Sequence, residues 1–283
     1  MRIAIANLGQ LTVWMCFALV AVGSEPNLSN VGSQATHGPW AFNSPVKQPL
    51  PRPQADEVVV NAIDTFVLSR LEQQGLSLNP PEDAAQLLRR VTYSLTGLPP
   101  SVLELETFLA DSSPDAYDRA VERLLASPHF GPRWAQHWLD VVRYAESDGF
   151  KSDELRPNAY RYRDYVIDAM NTNLPYDRFI SQQLAGDELE PENSQAMIAT
   201  GMSRLYPDED NAANLFQRRQ EILDDITETT GLAILGLTMG CAQCHDHKFD
   251  DILQADYFRL QAYFAPFVEL DEIPKASPVE QHA

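Results

Sequence analysis

From Asp56 to about residue 265 the apolar side chains recur every three to four residues with hardly a break. A chain with that period is confined to α-helix over most of its length. Val60, Ile63, Phe66, Val67 and Leu71 make one such stripe. Ala84, Leu87, Leu88, Val91 and Leu95 make the next, opened by Asn79-Pro80-Pro81-Glu82 and stopped by Gly97-Leu98-Pro99-Pro100. Glycine ends a helix cheaply and proline cannot continue one. Further helices are predicted over about 101–110, 114–126, 129–145, 158–172, 175–185, 194–204, 214–238 and 255–265. Ser113-Pro114-Asp115 supplies the fourth helix with an N-cap, a first-turn proline and an acid at the positive end of its dipole. No run of alternating β-branched residues interrupts the series. The expected fold is mainly α, an irregular multi-helix bundle with long loops and no substantial sheet.

The first 24 residues follow a different rule. Arg2 is the only charge before Glu25, an apolar stretch runs from Leu11 to Val22, and Gly23-Ser24 follows. This is the layout of a secretory signal peptide, with an apolar core too short for the roughly 20 residues that span a bilayer. Residues 1–24 are expected to be removed, leaving an exported chain, periplasmic or extracellular, with no stable membrane insertion. Trp14-Met15 before Cys16 are too bulky for lipoprotein processing. Residues 25–55 hold six prolines and read as an extended linker, with at most a patch around Trp40 and Phe42 docking on the body. Residues 56–268 form the helical domain and 269–283 a tail.

Charge narrows the partners. The chain has 21 Lys+Arg against 40 Asp+Glu, a formal net of −19. A nucleic-acid surface would need a basic patch and is not expected; a basic redox partner or an adjoining domain is compatible.

Cleavage after Ser24 would take Cys16 with it and leave two cysteines, both in Cys241-Ala242-Gln243-Cys244-His245. C-x-x-C-H is the attachment signature of a c-type haem. The two thiols, one turn apart, add across the vinyl groups of the porphyrin, and the adjacent imidazole ligates iron. Two cysteines placed at random over the remaining length would meet this pattern with a chance on the order of one in ten thousand. Competing readings are a C-x-x-C disulfide, which lacks a thioredoxin-like βαβ context, and a zinc site from Cys241, Cys244, His245 and His247, which crowds four donors into seven residues.

Several segments together resemble a known family. They are Leu124-Leu125-Ala126-Ser127-Pro128-His129-Phe130-Gly131, Arg133-Trp134-Ala135-Gln136-His137-Trp138-Leu139-Asp140, and Arg143-Tyr144-Ala145-Glu146-Ser147-Asp148-Gly149. Arg161-Tyr162-Arg163-Asp164-Tyr165-Val166-Ile167, Gln183-Leu184-Ala185-Gly186-Asp187, Leu235 through Cys241, and His245-Asp246-His247-Lys248-Phe249-Asp250 continue the likeness. The region from about 60 to 265 resembles the second type of planctomycete cytochrome domain, domain-of-unknown-function family 1549. The resemblance implies a secreted, mostly helical, c-type cytochrome-like module, with Cys241 and Cys244 as thioether sites and His245 as proximal ligand. It also implies a cytochrome c domain before the module and a further domain after it. This chain carries neither, which reads as a truncated or split product. Asp251 stands where the family usually has proline, which changes the turn after the motif.

The other face of the iron is open to several donors. His137 is the first candidate, because its helical spacing with Trp134, Val141 and Tyr144 puts it on an expected buried face. The alternative is a hydrogen-bonded core histidine. His129 is second, with helix capping as its alternative. Met202, Met197 and Met170 are thioether candidates that are otherwise core residues. His247 and Met239 lie too near the motif. Five-coordinate iron is also allowed, and would favour small-molecule chemistry. Glu146-Ser147-Asp148-Gly149 with Asp153-Glu154 offers hard oxygen donors suited to Ca²⁺, or else a solvated capping loop; Asp208-Glu209-Asp210 reads the same way. One of Asp224 and Asp225 is expected to pair with Arg218 or Arg219, or to be exposed. Tyr160 to Tyr165 reads as packing with snorkelling arginines. Three functions follow: electron transfer through haem c, a haem- or metal-dependent enzyme acting on peroxide or a carbohydrate-derived substrate, and a haem-free interaction module held by a Cys241–Cys244 disulfide.

Overall fold

Helix caps written into the sequence start most of the elements. In a computed structural model that describes residues 43–54, 59–150, 153–208 and 213–267, Asn61 accepts from the amides of Ile63 and Asp64 while Asp64 reaches back, a closed capping box on α1 (Ala62–Gln73). Asp83 caps α2 (Ala84–Thr96), and Gly97 ends it in the left-handed region at φ 72°. Ser101 and Glu104 form a second capping box on α3 (Val102–Ala110). The others are α4 (Ala116–Leu125), α5 (Phe130–Val141), α6 (Ala159–Asn171), α7 (Tyr176–Leu189), α8 (Ser194–Ala199), α9 (Leu215–Thr230) and α10 (Gln254–Phe264). Among the described residues the one sheet-like contact is an isolated bridge between Ser147 and Leu155. The fold is mainly α, as the periodicity predicts. Residues 1–24, expected to be a signal peptide, most of the proline-rich stretch and residues 269–283 lie outside the described residues. Of that proline-rich stretch, residues 46–54 belong to the helical body: Pro53 is buried, and the Gln54 amide donates to Glu72 on α1 at 2.8 Å.

Two local expectations change. The fourth helix begins at Ala116, and its N-cap residue Asp115 makes no side-chain cap bond. Ser113 is drawn off instead to Asp111 and Arg119, and Asp115 pairs with Arg119 one turn on. The predicted 214–238 helix is α9 followed by a π-turn, Gly231–Leu235, which stops at Gly236 with φ 66°.

The main core lies where α5, α6, α7 and α8 meet. It contains Ala135, Val142, Tyr162, Tyr165, Val166, Phe179, Ala199 and Met202. Its centre is polar and closed on itself. Trp138 Nε1 donates to Gln183 Oε1 at 2.9 Å, and the Tyr162 hydroxyl donates to the same oxygen at 2.6 Å. Gln183 in turn donates to the Phe179 carbonyl at 3.1 Å. Burial pushes the Tyr162 phenol well above its ordinary range, so it stays a neutral donor. Two smaller cores continue toward the C-terminal side. One joins Tyr206 to Ile222, Leu223 and Ile226 of α9 and Phe264 of α10; the other joins Met239, Ala242, Ile252 and Tyr257.

Candidate functional site

The C-x-x-C-H segment begins in a short 3₁₀ turn, Met239–Gln243, packed against α9 and α10; Cys244 caps that turn and His245 follows it. Gly236 reverses the chain, and the Leu237 amide donates to the Gly231 carbonyl at 3.0 Å. Gly231 is needed here, because a Cβ would stand 2.4 Å from Met239 Cγ. Met239 and Ala242 point down into the small core with Ile252 and Tyr257. The remaining side chains of the turn therefore face out: Cys241, Cys244 and His245 are all exposed, and both thiols are free.

The two histidines of the segment have opposite hydrogen bonding. His245 Nδ1 lies 2.8 Å from the Asp246 carbonyl. A carbonyl can only accept, so Nδ1 carries a proton, and in the neutral ring the lone pair is on Nε2. His247 Nδ1 accepts from the Asp250 amide at 2.8 Å and the Phe249 amide at 3.3 Å. Its proton therefore sits on Nε2, which donates to Thr238 Oγ1 at 3.3 Å. The His247 side chain is 6% exposed, with the Asp250 carboxylate 3.3 Å from Nδ1. Gln254 adds a second tie. Its amide donates to Asp246 Oδ1 at 2.8 Å, and its side chain donates to the Gln243 carbonyl at 3.0 Å.

Beneath and beside the turn the surroundings are acidic. The buried Tyr257 hydroxyl donates to Asp224 Oδ1 at 3.0 Å, and burial first, then that bond, pushes the phenol far up. Glu228 on α9 lies against Gly240; a Cβ there would come within 2.6 Å of Glu228 Oε1. Burial, and then the charges of Asp225 and Asp224, raise the Glu228 carboxyl above its ordinary value. No local signal in the sequence marks Thr238, Gln254, Tyr257 or Glu228 as neighbours of the motif; three of these contacts come from other elements.

The distal candidates are scattered. His137 is exposed and packs only its edge on Trp134, ring centroids 5.6 Å apart. The expected buried stripe is in fact the outer face of α5, with Trp134 41% and Val141 45% exposed. The inner face is Gly131, Ala135, Trp138 and Val142. Its small residues let α6 approach: the Gly131 amide donates to Asn171 Oδ1 at 2.7 Å. His129 occupies the N-cap position of α5 but its side chain makes no cap bond, contrary to the capping alternative. Met202 is buried in the main core, Met170 packs against it, Met197 is half exposed and Met239 lies under the turn.

The acidic loop is organised by arginines. Asp148 pairs with Arg156 Nε at 2.6 Å, and Arg156 also donates to the carbonyls of Arg204 and Tyr206. Glu146 accepts from Arg163 and Tyr144. Asp153 accepts from the Gly149 amide at 2.9 Å and is held below its ordinary value by Ser147 and then that amide. Asp208 is buried and clasped by Arg218 through two bonds of 2.7 Å. Arg219 reaches the Ala265 carbonyl, and Asp225 takes its arginine from the end of α5, Arg143 at 2.6 Å, rather than from α9 itself. Among the described residues no three His, Cys, Asp or Glu side chains converge as a metal-binding group, and no helix is long and apolar enough to cross a membrane.

The profile of PSCyt2, a protein family of unknown function (DUF1549), matches residues 62–269, which takes in α1 through α10 and the whole C-x-x-C-H turn. The chain belongs to the PSCyt2 family. No curated protein and no solved structure matches it. In this PSCyt2 chain the motif is carried on an outward turn, braced from below by apolar contacts and from either side by His247 and Gln254.

Proposed function

We propose that this PSCyt2 chain is an exported c-type haem protein that passes electrons to a partner protein or an adjoining domain. The observation that carries the reading is the hydrogen bonding of His245. Its Nδ1–H is held by the Asp246 carbonyl, which leaves Nε2 as an outward ligand atom on the residue that follows two exposed, free thiols in the motif. Metal-binding imidazoles are commonly fixed in this way, by a hydrogen bond from the other ring nitrogen. The donor set fits the group: Cys241 and Cys244 would hold haem through thioethers and His245 Nε2 would ligate its iron. Apolar side chains close to the motif in sequence, Leu232, Leu235 and Phe249, stand exposed and offer a surface for a porphyrin. Bound haem would supply a one-electron iron couple. The chain's own part is to present the thiols together, to fix the imidazole, and to set the charge around them through Asp224, Asp225 and Glu228.

The test is to make the full chain in cells with a haem-attachment system. Intact-mass measurement is expected to find haem bound covalently, and the colour is expected to survive acid-acetone extraction. The double variant C241S/C244S is expected to lose it. A chain with no haem, with haem that extracts, or with only a Cys241–Cys244 disulfide (two hydrogens lighter) would overturn the proposal.

A further inference from the structure

The brace formed by Thr238, His247 and Asp250 reaches across the motif. Thr238 precedes Cys241 by three residues, and His247 follows His245 by two. The imidazole of His247 is the link between them, bonded to Thr238 on one side and to the amides of Phe249 and Asp250 on the other. Its own amide donates to the Ile252 carbonyl at 2.8 Å, and Ile252 is buried in the core under the turn. We propose that His247 is a positioning residue, which closes the loop from Thr238 to Asp250 before any cofactor arrives and so holds Cys241, Cys244 and His245 in a receptive arrangement.

A loop that carries three reacting groups loses conformational freedom when those groups are tied to one rigid body. If the freedom has already been removed by bonds within the protein, binding does not have to remove it. His247 suits the task because both ring nitrogens are engaged and its side chain is almost fully covered. The same bonds separate the roles of the two histidines. Only His245 has an uncommitted ring nitrogen; His247 would have to break its bonds to the loop or to Thr238 to act as a ligand.

The consequence for cofactor loading rests on the haem reading, whereas the brace itself can be measured in the haem-free chain. In that form, hydrogen exchange at the Asp250 amide is expected to rise about tenfold or more in His247→Ala. In His247→Asn, whose Oδ1 can replace Nδ1 as acceptor, it is expected to stay near wild type. In cells with the attachment system, His247→Ala is expected to lower the covalently loaded fraction roughly tenfold, within the range seen when groups orienting a metal ligand are removed. His247→Asn should recover part of that loss, at a matched thermal midpoint. Wild-type exchange at Asp250 together with wild-type loading and spectrum in His247→Ala would overturn the proposal. If His247→Ala does not fold, Thr238→Val, which removes the acceptor for His247 Nε2–H, decides, and full covalent loading of that variant would overturn it. A wild-type chain without covalent haem would remove the haem reading and leave the exchange result to judge the brace.

Discussion

At the scale of single residues, one carboxylate shows how this acidic chain uses its charge. Glu190 ends α7 and accepts from Arg178, Asn193 and Gln182, which hold its carboxyl down to about 2 from an ordinary 4.5. A carboxyl lowered in the folded state stabilises that state above its unfolded value, and the contribution fades as pH falls toward the folded value. Glu190→Gln is therefore expected to be less stable than wild type near neutral pH. The gap should close as pH drops from about 4.5 to about 2. Urea midpoints across that range check it, and a gap independent of pH would contradict the assignment. The residues at the motif were legible in the same local way: Cys241, Cys244 and His245 stand out by spacing alone. His137 was not, because its stripe with Trp134 and Val141 is as periodic as the inner one. What sends that stripe outward is the small size of Gly131 and Ala135 on the other side, which admits α6. A pattern of apolar residues cannot report a close approach made by glycine.

At the scale of elements, α7 and α8 meet through a position with no room for a side chain. A Cβ on Gly186 would stand 2.2 Å from the Ala196 carbonyl oxygen, beside the non-helical Ala185 at φ −153°. Gly186→Ala is expected to cost about 1–3 kcal/mol by overpacking, read as a lower urea midpoint. Gly201→Ala, whose new methyl would meet Tyr162 at an ordinary 3.4 Å, should cost less. The helices themselves were largely legible, since caps such as Asn61, Asp83 and Ser101 and the stop at Gly97 are local devices. Ser113 failed as a cap because Asp111 and Arg119 compete for its hydroxyl, a contact outside the helix it was expected to start. The polar cluster of Trp138, Tyr162 and Gln183 joins three successive helices through partners 21 and 45 residues apart, so no short window of residues could reveal it.

At the scale of the whole molecule, a formal charge of −19 means that the folded state works against its own repulsion. Raising ionic strength from about 0.01 M to about 0.15 M shortens the reach of those charges. The thermal midpoint is expected to rise with added neutral salt, most steeply at the low end. A midpoint that falls would show that arginine–carboxylate pairs such as Arg218–Asp208 outweigh the repulsion. The floor of the C-x-x-C-H turn is built late. Tyr257 and Gln254, which support it, belong to α10, and that helix is synthesised after the motif. During synthesis the thiols therefore emerge first, on a segment whose foundation has not yet been made. For a short interval they stand on a chain with no fold to direct them, and only the arrival of the last helix supplies the floor on which the turn rests.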